Sequence, residues 1–246
     1  MSSSTLSHKP AVSDASARPD DLAVEAARYA LLRRIAPAIR HHMAGTLQPI
    51  GMITAIMERR LQAATPDMAV LRDNCKSIST LSRTAAGASM NLISWVAPRE
   101  TNVVRLEAGV EECLGMLSTD LAFRGFTLAN KVIATDVSVS QVALRTLFTA
   151  SLIALTDAAL APASVLVTSE LTGDTVRVCI CATPEEGASA AEDPSGYRNL
   201  GWDDVDALAS AEQVRVSHGI NRVELGFVLL EQSDLTVLPA LGSLSF

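Results

Sequence analysis

Two long segments with helical spacing of apolar residues, joined by a short break, constrain the fold of this chain most. The first covers residues 21–63 and the second residues 66–96. In the second segment apolar residues repeat every seven positions, with others interleaved: Leu71, Ile78, Ala85 and Leu92, and Cys75, Leu81, Ala88 and Trp95. More than three such heptads predict a helix with one continuous apolar seam.

The break between the segments has the residues of a helix start. Thr65 is the predicted N-cap, Pro66 suits the first helical position and Asp67 suits the first turn. Two long helices with a short connector form an antiparallel hairpin. One hairpin leaves an apolar side uncovered, so we expect a homodimer in which two hairpins form a four-helix bundle. A monomeric bundle would need helices from elsewhere in the chain.

The first segment carries two adjacent histidines in its middle. A helix starting near residues 20–21 places its apolar stripe within roughly 40° on a helical projection; the stripe is Leu32, Ile39, Met43, Leu47, Ile50, Met57 and Leu61. His41 lies roughly 160–240° from each of these residues, so it points away from the stripe, and His42 lies near its edge. A histidine on the wet face of a core-forming helix serves either solubility or chemistry.

Composition and charge exclude several classes of protein. The net charge is −7 and the pI about 5.1, which disfavours nucleic-acid binding. No apolar run is long enough to span a membrane, and residues 1–20 form a Ser-, Ala- and Pro-rich segment that predicts a disordered tail. We therefore expect a cytoplasmic protein with no membrane association.

Two local features have alternative interpretations. Five arginines gather on the first helix: Arg33, Arg34, Arg40, Arg59 and Arg60. They suit an acidic partner or a phosphoryl group, or they form a solvated helix face. Cys179 and Cys181 alternate on a predicted strand and so point to one face, but no further ligand predicts a metal site there. The four cysteines are interpreted as reduced structural thiols.

A second region, residues 101–246, follows a break at residues 97–100. We expect strands at 103–106, 126–132, 165–171, 176–182, 235–238 and 243–246, and helices at 107–123, 141–160, 202–213 and 223–231. Ser138 or Ser140 would cap the second of these helices, and residues 183–199 would form a mobile loop. The fold class is α+β: a helical hairpin at 21–97 followed by an α/β sandwich.

The segment around His41 resembles the phosphoacceptor segment of bacterial sensor histidine kinases. The resemblance places the phosphoacceptor on His41, the usual Leu on Leu47 and two further apolar positions on Met43 and Ile50. Three positions depart from the pattern. His42 stands where the family has an acidic base, Gly45 where it has Thr or Asn, and Thr46 where it has Pro.

Residues 103–246 resemble the ATP-binding domain of the same family, but the nucleotide motifs are missing. The helix that supplies the Asn for magnesium aligns with residues 147–159, which contain no Asn, although Asp157 stands near its place. Residues 182–187 lack the Asp of the adenine motif, and residues 218–226 contain only two separated glycines. Phosphate binding needs clustered backbone amides and magnesium needs oxygen ligands.

The resemblance therefore implies a histidine phosphotransferase of a two-component phosphorelay, which exchanges a phosphoryl group between His41 and receiver-domain aspartates without ATP. His42 would accept a proton or orient the acceptor, and Arg40 would hold phosphate or the partner's acidic site. The chain would need no cofactor, because the receiver brings its own Mg²⁺; partners would be response-regulator receivers and a hybrid histidine kinase. Three alternatives remain: a divergent kinase that still binds ATP, a non-catalytic pseudokinase scaffold, and an unrelated helical dimer.

Overall fold

The computed structural model describes residues 19–97, 102–133, 136–190 and 198–230. Two long helices come first, and a layer of helices on a mixed sheet follows. The helices are α1 (Pro19–Leu61), α2 (Met68–Val96), α3 (Leu106–Phe123), α4 (Gln141–Ala158) and α5 (Trp202–Glu212). The strands are β1 (Val103–Arg105), β2 (Phe126–Lys131), β3 (Ser138–Ser140), β4 (Leu160–Thr172), β5 (Thr175–Ala190), β6 (Arg215–His218) and β7 (Arg222–Val228). The α+β class is thus confirmed.

The helices α1 and α2 pack against each other as the predicted hairpin. Acidic Asp20 and Asp21 lie in the first turn of α1, and basic Arg59 and Arg60 lie in its last turn, where they complement the helix dipole. The predicted N-cap of α2 at Thr65 is wrong. Asp67 caps the helix, because its carboxylate accepts hydrogen bonds from the amides of Ala69 at 2.9 Å and Val70 at 3.2 Å.

The apolar seam of α2 is confirmed with one shift. Leu71, Ala85, Leu92 and Trp95 are buried. Cys75, which the heptad pattern assigned to the seam, is exposed. Its neighbour Asn74 takes the inward position, and the nitrogen of its amide is buried. The side that an α-helix presents drifts relative to a strict seven-residue repeat, so a seam read from sequence can be displaced by one residue.

The second region is built on a five-stranded sheet of order β2-β4-β5-β7-β6. Strand β2 runs parallel to β4, and the other neighbours are antiparallel. A separate pair, β1 and β3, leads into α3 and α4. Alternate residues of the central strands are buried under the helices, as the period of two requires; they include Val165, Val167, Val178, Ile180, Val223, Leu225 and Phe227.

Several predicted elements of this region are confirmed, and two are wrong. Helix α4 begins at its predicted cap, Ser140, whose hydroxyl accepts from the amide of Ala143 at 3.3 Å. The helix predicted at 223–231 is instead strand β7, and β6 was missed. The loop predicted from residue 183 is strand as far as Ala190, because β5 continues alongside β4. The predicted strands at 235–238 and 243–246 lie outside the described residues.

The hairpin and the sandwich share one core. Ala27, Leu31 and Ile35 of α1 and Trp95 of α2 belong to the same buried cluster as the sheet residues. Beyond this contact every residue of α1 from 36 to 61 is partly or fully exposed. The fully buried residues of α1 therefore all lie in its N-terminal part, up to Ile35, where the helix joins the core of the sandwich.

Candidate functional site: an exposed histidine pair on a clamped helix

Three residues of the proposed site, Arg40, His41 and His42, lie in the segment of α1 that has no fully buried residue, and all three are exposed. Neither imidazole has a hydrogen bond or an ion pair within the part of the chain that the structure describes. The helix runs through Pro37 and Pro49 without interruption, so the three residues stand on a continuous helical backbone. A solvent-exposed neutral imidazole is a competent nucleophile near neutral pH.

His41 lies on the side of α1 that faces the sandwich. Residues seven apart in an α-helix differ by about 20° in direction, so His41 and Arg34 point the same way. Arg34 is buried against the sandwich, as are Ala27 and Ala30, which share this side of the helix. The bundle stripe occupies the opposite side of α1. His41 thus continues the sandwich-facing side two turns beyond the point where the sandwich contact ends.

The predicted cluster of five arginines divides into distinct roles. Arg34 is buried and belongs to the core junction, so it is not part of a solvated collar. Arg33 donates to the hydroxyl of Tyr29 at 2.9 Å and lies over its ring. Arg40, Arg59 and Arg60 are exposed. Arg40 is therefore the arginine of this set that combines exposure with direct adjacency to His41.

A buried ion triad joins α1 to the sandwich. One carboxylate oxygen of Asp157 in α4 accepts from the Nη2 of Arg34 at 2.8 Å and from the Nη2 of Arg124 at 2.9 Å. All three side chains are at most 4% exposed. Arg124 also donates to the carbonyl of Thr156 at 3.0 Å and lies over the ring of Phe126. Asp157 is thus a structural counter-ion for two arginines.

A second cluster joins the end of α2 to the sandwich. The guanidinium of Arg145 in α4 donates to both carboxylate oxygens of Glu112 in α3. It also donates to Ser94 at 2.7 Å and Asn91 at 2.8 Å in α2. The same group lies 4.9 Å from the centre of the Trp95 ring. All of these contacts were missed at the sequence level, since nothing in the sequence pairs residues more than thirty positions apart.

Two hollows flank the junction. A cavity of about 620 Å³ lies between α1, α2, α4 and α5, with Arg28, Trp95, Arg145 and Glu212 in its wall. An apolar groove of about 580 Å³ lies beside it, lined by Leu32, Ala36, Ile39, Arg40, Met43, Ala44 and Val96. Leu32 and Val96 border both hollows. Arg40, the residue before His41, lies in the wall of this groove.

The positions where the family resemblance places nucleotide contacts lie in a buried helix and in strands of the sheet. Helix α4 is buried over most of its length, and Asp157 near its end is taken up by the ion triad. Residues 183–187 lie in strand β5, and Gly226 lies within β7. His218 ends strand β6 and stacks on Trp202 with a ring separation of 4.3 Å.

Two of the four cysteines are neighbours on the sheet. The sulfur atoms of Cys179 and Cys181 are 3.7 Å apart on one face of β5, as the alternation predicts. Burial raises the pKa of the Cys113 thiol to about 12, and burial together with Cys181 raises that of Cys179 to about 11. Among the described residues, no group of three or more His, Cys, Asp and Glu is arranged to hold a metal ion.

No helix in the described part of the chain has the length and apolar character needed to cross a membrane. No protein-family model matches the chain, and no curated protein matches it.

Solved structures similar to this chain are histidine kinases and a phosphotransferase, at low identity. The histidine kinase AdeS of Acinetobacter baumannii is 17% identical over 72% of this chain and 94% of its own, with a TM-score of 0.39. The histidine kinase ThkA, solved in complex with the response regulator TrrA, is 15% identical over 88% of this chain and 68% of its own, with a TM-score of 0.38. A bacterial phosphotransferase is 12% identical over 81% of this chain and 95% of its own, with a TM-score of 0.36. These likenesses are too distant to assign a function, so the function has to be inferred from the residues of this chain.

Proposed function

We propose that this chain is a histidine phosphotransferase of a two-component phosphorelay, with His41 as the phosphoacceptor. One combination of features carries the proposal. His41 is exposed, whereas the residue at the expected magnesium-binding position of the second region is held in a buried ion triad. Asp157, near the place of the magnesium-binding Asn, is buried and held by two arginines. The proposed acceptor, His41, is therefore accessible to a partner, whereas Asp157 is engaged by two arginines.

The reaction needs little from the chain beyond presentation of the imidazole. A nitrogen of His41 attacks the phosphorus of a receiver's phosphoaspartate, the bond from phosphorus to the aspartate oxygen breaks, and a phosphorus–nitrogen bond forms. The imidazole proton passes to His42 or to water, and the aspartate leaves as a carboxylate. The receiver's Mg²⁺ neutralises the phosphoryl oxygens, and Arg40 adds a positive charge beside the acceptor. The reverse reaction transfers the group to a second receiver.

The partners follow from the exposed apolar surface of the hairpin. Residues 36–61 of α1 fully bury none of their apolar side chains, and several on the bundle stripe are widely exposed: Met43, Leu47 and Leu61. A second hairpin of the same kind would cover this stripe in a four-helix bundle, which is the proposed homodimer. The opposite side of α1, with His41, stays free for the receiver.

Radiolabelled ATP tests the phosphotransfer directly. We expect no label on the full chain with ATP alone and label on His41 when a hybrid kinase and a receiver domain are added. The His41→Asn variant should lose the label and His42→Asn should retain it at a reduced rate. Label from ATP alone would make the chain a kinase, and label that survives His41→Asn would move the acceptor to another residue.

The dimer is tested with two leucines of matched exposure. Leu47 on the bundle stripe is 49% exposed, and Leu171 on β4 is 48% exposed. We expect Leu47→Glu to convert the dimer to a monomer in analytical ultracentrifugation, since it places a charge in the bundle core. Leu171→Glu should leave the dimer intact. A wild-type chain that sediments as a monomer would contradict the proposal.

A further inference from the structure

We propose that Arg34 is a positioning residue for the transfer: through Asp157 and Arg124 it fixes the sandwich to the histidine helix, and His41 reacts while the sandwich stays in place. This inference rests on the proposed phosphotransfer at His41. It concerns what the second region does during that reaction. A region that delivered a phosphoryl group would have to travel to the histidine, whereas a fixed region cannot.

The position of the triad along α1 gives the first support. Arg34 and His41 are seven residues apart, so they lie on one side of the helix and about 10 Å apart along its axis. The ion pair with Asp157 therefore sets the direction in which His41 points relative to the sandwich. Between them the helix is continuous, so the orientation set at Arg34 is carried to His41.

Burial gives the second support. The side chains of Arg34 and Asp157 are each 4% exposed, and that of Arg124 is 2% exposed. Separating α1 from α4 would take the Arg34 guanidinium away from Asp157 while both were still partly buried, and Asp157 would keep Arg124 as its remaining partner. Breaking a buried pair in this way is strongly unfavourable, unlike opening a pair on the surface.

Two further contacts hold the hairpin at other points. Arg145 of α4 binds Asn91 and Ser94 of α2, so the second helix of the hairpin is fixed as well. Arg28 of α1 donates to Glu212 of α5 at 2.8 Å. The sandwich is thus attached to both helices of the hairpin through two of its own helices, α4 and α5, which opposes rotation about any single contact.

A reversible covalent bond between α1 and α5 tests whether movement is needed. Arg28→Cys and Glu212→Cys are combined in the full chain together with Cys75→Ser, which removes the exposed native thiol. We expect a reducible bis-maleimide crosslinker, long enough to replace the reach of the arginine and glutamate side chains, to join the two cysteines, and the rate of transfer from a phosphorylated receiver to His41 to remain unchanged. A rate that falls on crosslinking and recovers on reduction of the linker would overturn the proposal. So would failure of the pair to crosslink, because α1 and α5 would then not be held together.

Substitutions at the triad test the positioning role itself. Arg34→Leu is expected to slow transfer from the receiver about tenfold or more, because His41 loses its fixed direction. Labelling of His41 by the small phosphodonor phosphoramidate should be unaffected, since that reaction needs no docked partner. Arg34→Lys, which keeps the charge, should transfer from the receiver at a rate between those of the wild type and Arg34→Leu. Arg59→Leu, on the exposed end of α1, serves as the control and should leave the rate unchanged.

The engineered crosslink also separates positioning from simple loss of folding. Closing it in the Arg34→Leu background should restore much of the receiver-dependent rate, because it replaces the missing attachment. Absence of rescue, or equal slowing with phosphoramidate and receiver, would overturn the positioning role. If the wild-type chain accepts no phosphoryl group from any receiver, the proposed function fails instead, and formation of the crosslink still measures whether the sandwich is fixed.

Discussion

Arg145 and Glu112 form a two-point ion pair in which Nη2 donates to Oε1 at 2.6 Å and Nε donates to Oε2 at 3.1 Å. Their side chains are 6% and 22% exposed. The indole of Trp95 donates to the same carboxylate at 3.3 Å and packs under the guanidinium. One ion pair thus organises the end of α2, α3 and α4 around a single aromatic ring.

Arg145→Ala is predicted to lower the free energy of unfolding by about 3 kcal/mol, because it leaves the Glu112 carboxylate partly buried without its counter-ion. Trp95 is the natural reporter, so its fluorescence should shift toward that of an exposed indole. Arg145→Lys should cost less, but it cannot restore the two-point geometry. Chemical denaturation followed by tryptophan emission measures both changes. An Arg145→Ala variant as stable as wild type would contradict the structural role.

The start of α2 provides a matched pair of substitutions. Asp67→Ala is predicted to destabilise the chain by about 1 kcal/mol, since it removes the carboxylate that accepts from two helical amides. Thr65→Ala, two residues earlier, should leave stability unchanged. Thermal unfolding of the two variants distinguishes the structural cap from the one that the sequence predicts, and the reverse order of effects would restore Thr65 as the cap.

The hydrogen bonds that the Asp204 carboxylate accepts should make stability depend on pH in the acid range. Hydrogen bonds from Arg198, at 2.6 and 2.9 Å, and from the amide of Gly201 lower the pKa of this carboxyl below its usual value of 3.8. A lowered folded-state pKa contributes stability that is present above the unfolded-state pKa and is lost as the pH falls through the folded-state pKa. Asp204→Asn should therefore cost about 0.5 kcal/mol at pH 7, since Arg198 is largely exposed.

Below pH 4 the Asp204→Asn variant and the wild type should approach each other in stability. Denaturant midpoints at pH 7, 5 and 3 measure the convergence. A gap that stays constant or widens toward pH 3 would mean that Asp204 is not held in its charged form by these contacts.

The cysteines should differ widely in reactivity in the folded chain. At pH 8, iodoacetamide should modify exposed Cys75 first and Cys113 last, because burial both shields the Cys113 sulfur and raises its pKa to about 12. Cys179, with a pKa near 11, should also react slowly. Mass spectrometry of the modified peptides gives the order, and the denatured chain, in which all four should react alike, is the control.

The hairpin could be predicted from sequence because its signals are local and repeated. The apolar spacing of α1 and α2 and the prolines and glycines between elements fix where helices begin and end. The strands β4 and β5 were likewise visible from alternation around Gly173 and Asp174. Strand β7 also alternates, with Val223, Leu225 and Phe227 buried, so the pattern that would have identified it as a strand was present.

The junction could not be predicted, because charge pairing between distant positions leaves no local pattern. Arg34 sits in a run of arginines that is typical of a solvated face, whereas in the fold it is buried and pairs with Asp157, 123 residues away. Position 75 illustrates a smaller limit: the heptad pattern placed Cys75 inward, whereas the helix turns Asn74 inward. The proposal that His41 is the acceptor rests on resemblance and exposure together.

The shared core of α1 with the sheet has a consequence for how the chain unfolds. Ala27, Leu31 and Ile35 are buried only because residues far along the sequence cover them, and Arg28 meets Glu212 across 184 positions. Such contacts close very long loops, which slows folding. Because of these contacts, neither region can unfold first without exposing apolar surface of the other region and leaving charged groups of that region without their partners. A chain cut between residues 97 and 102 should thus yield two fragments less stable than the whole.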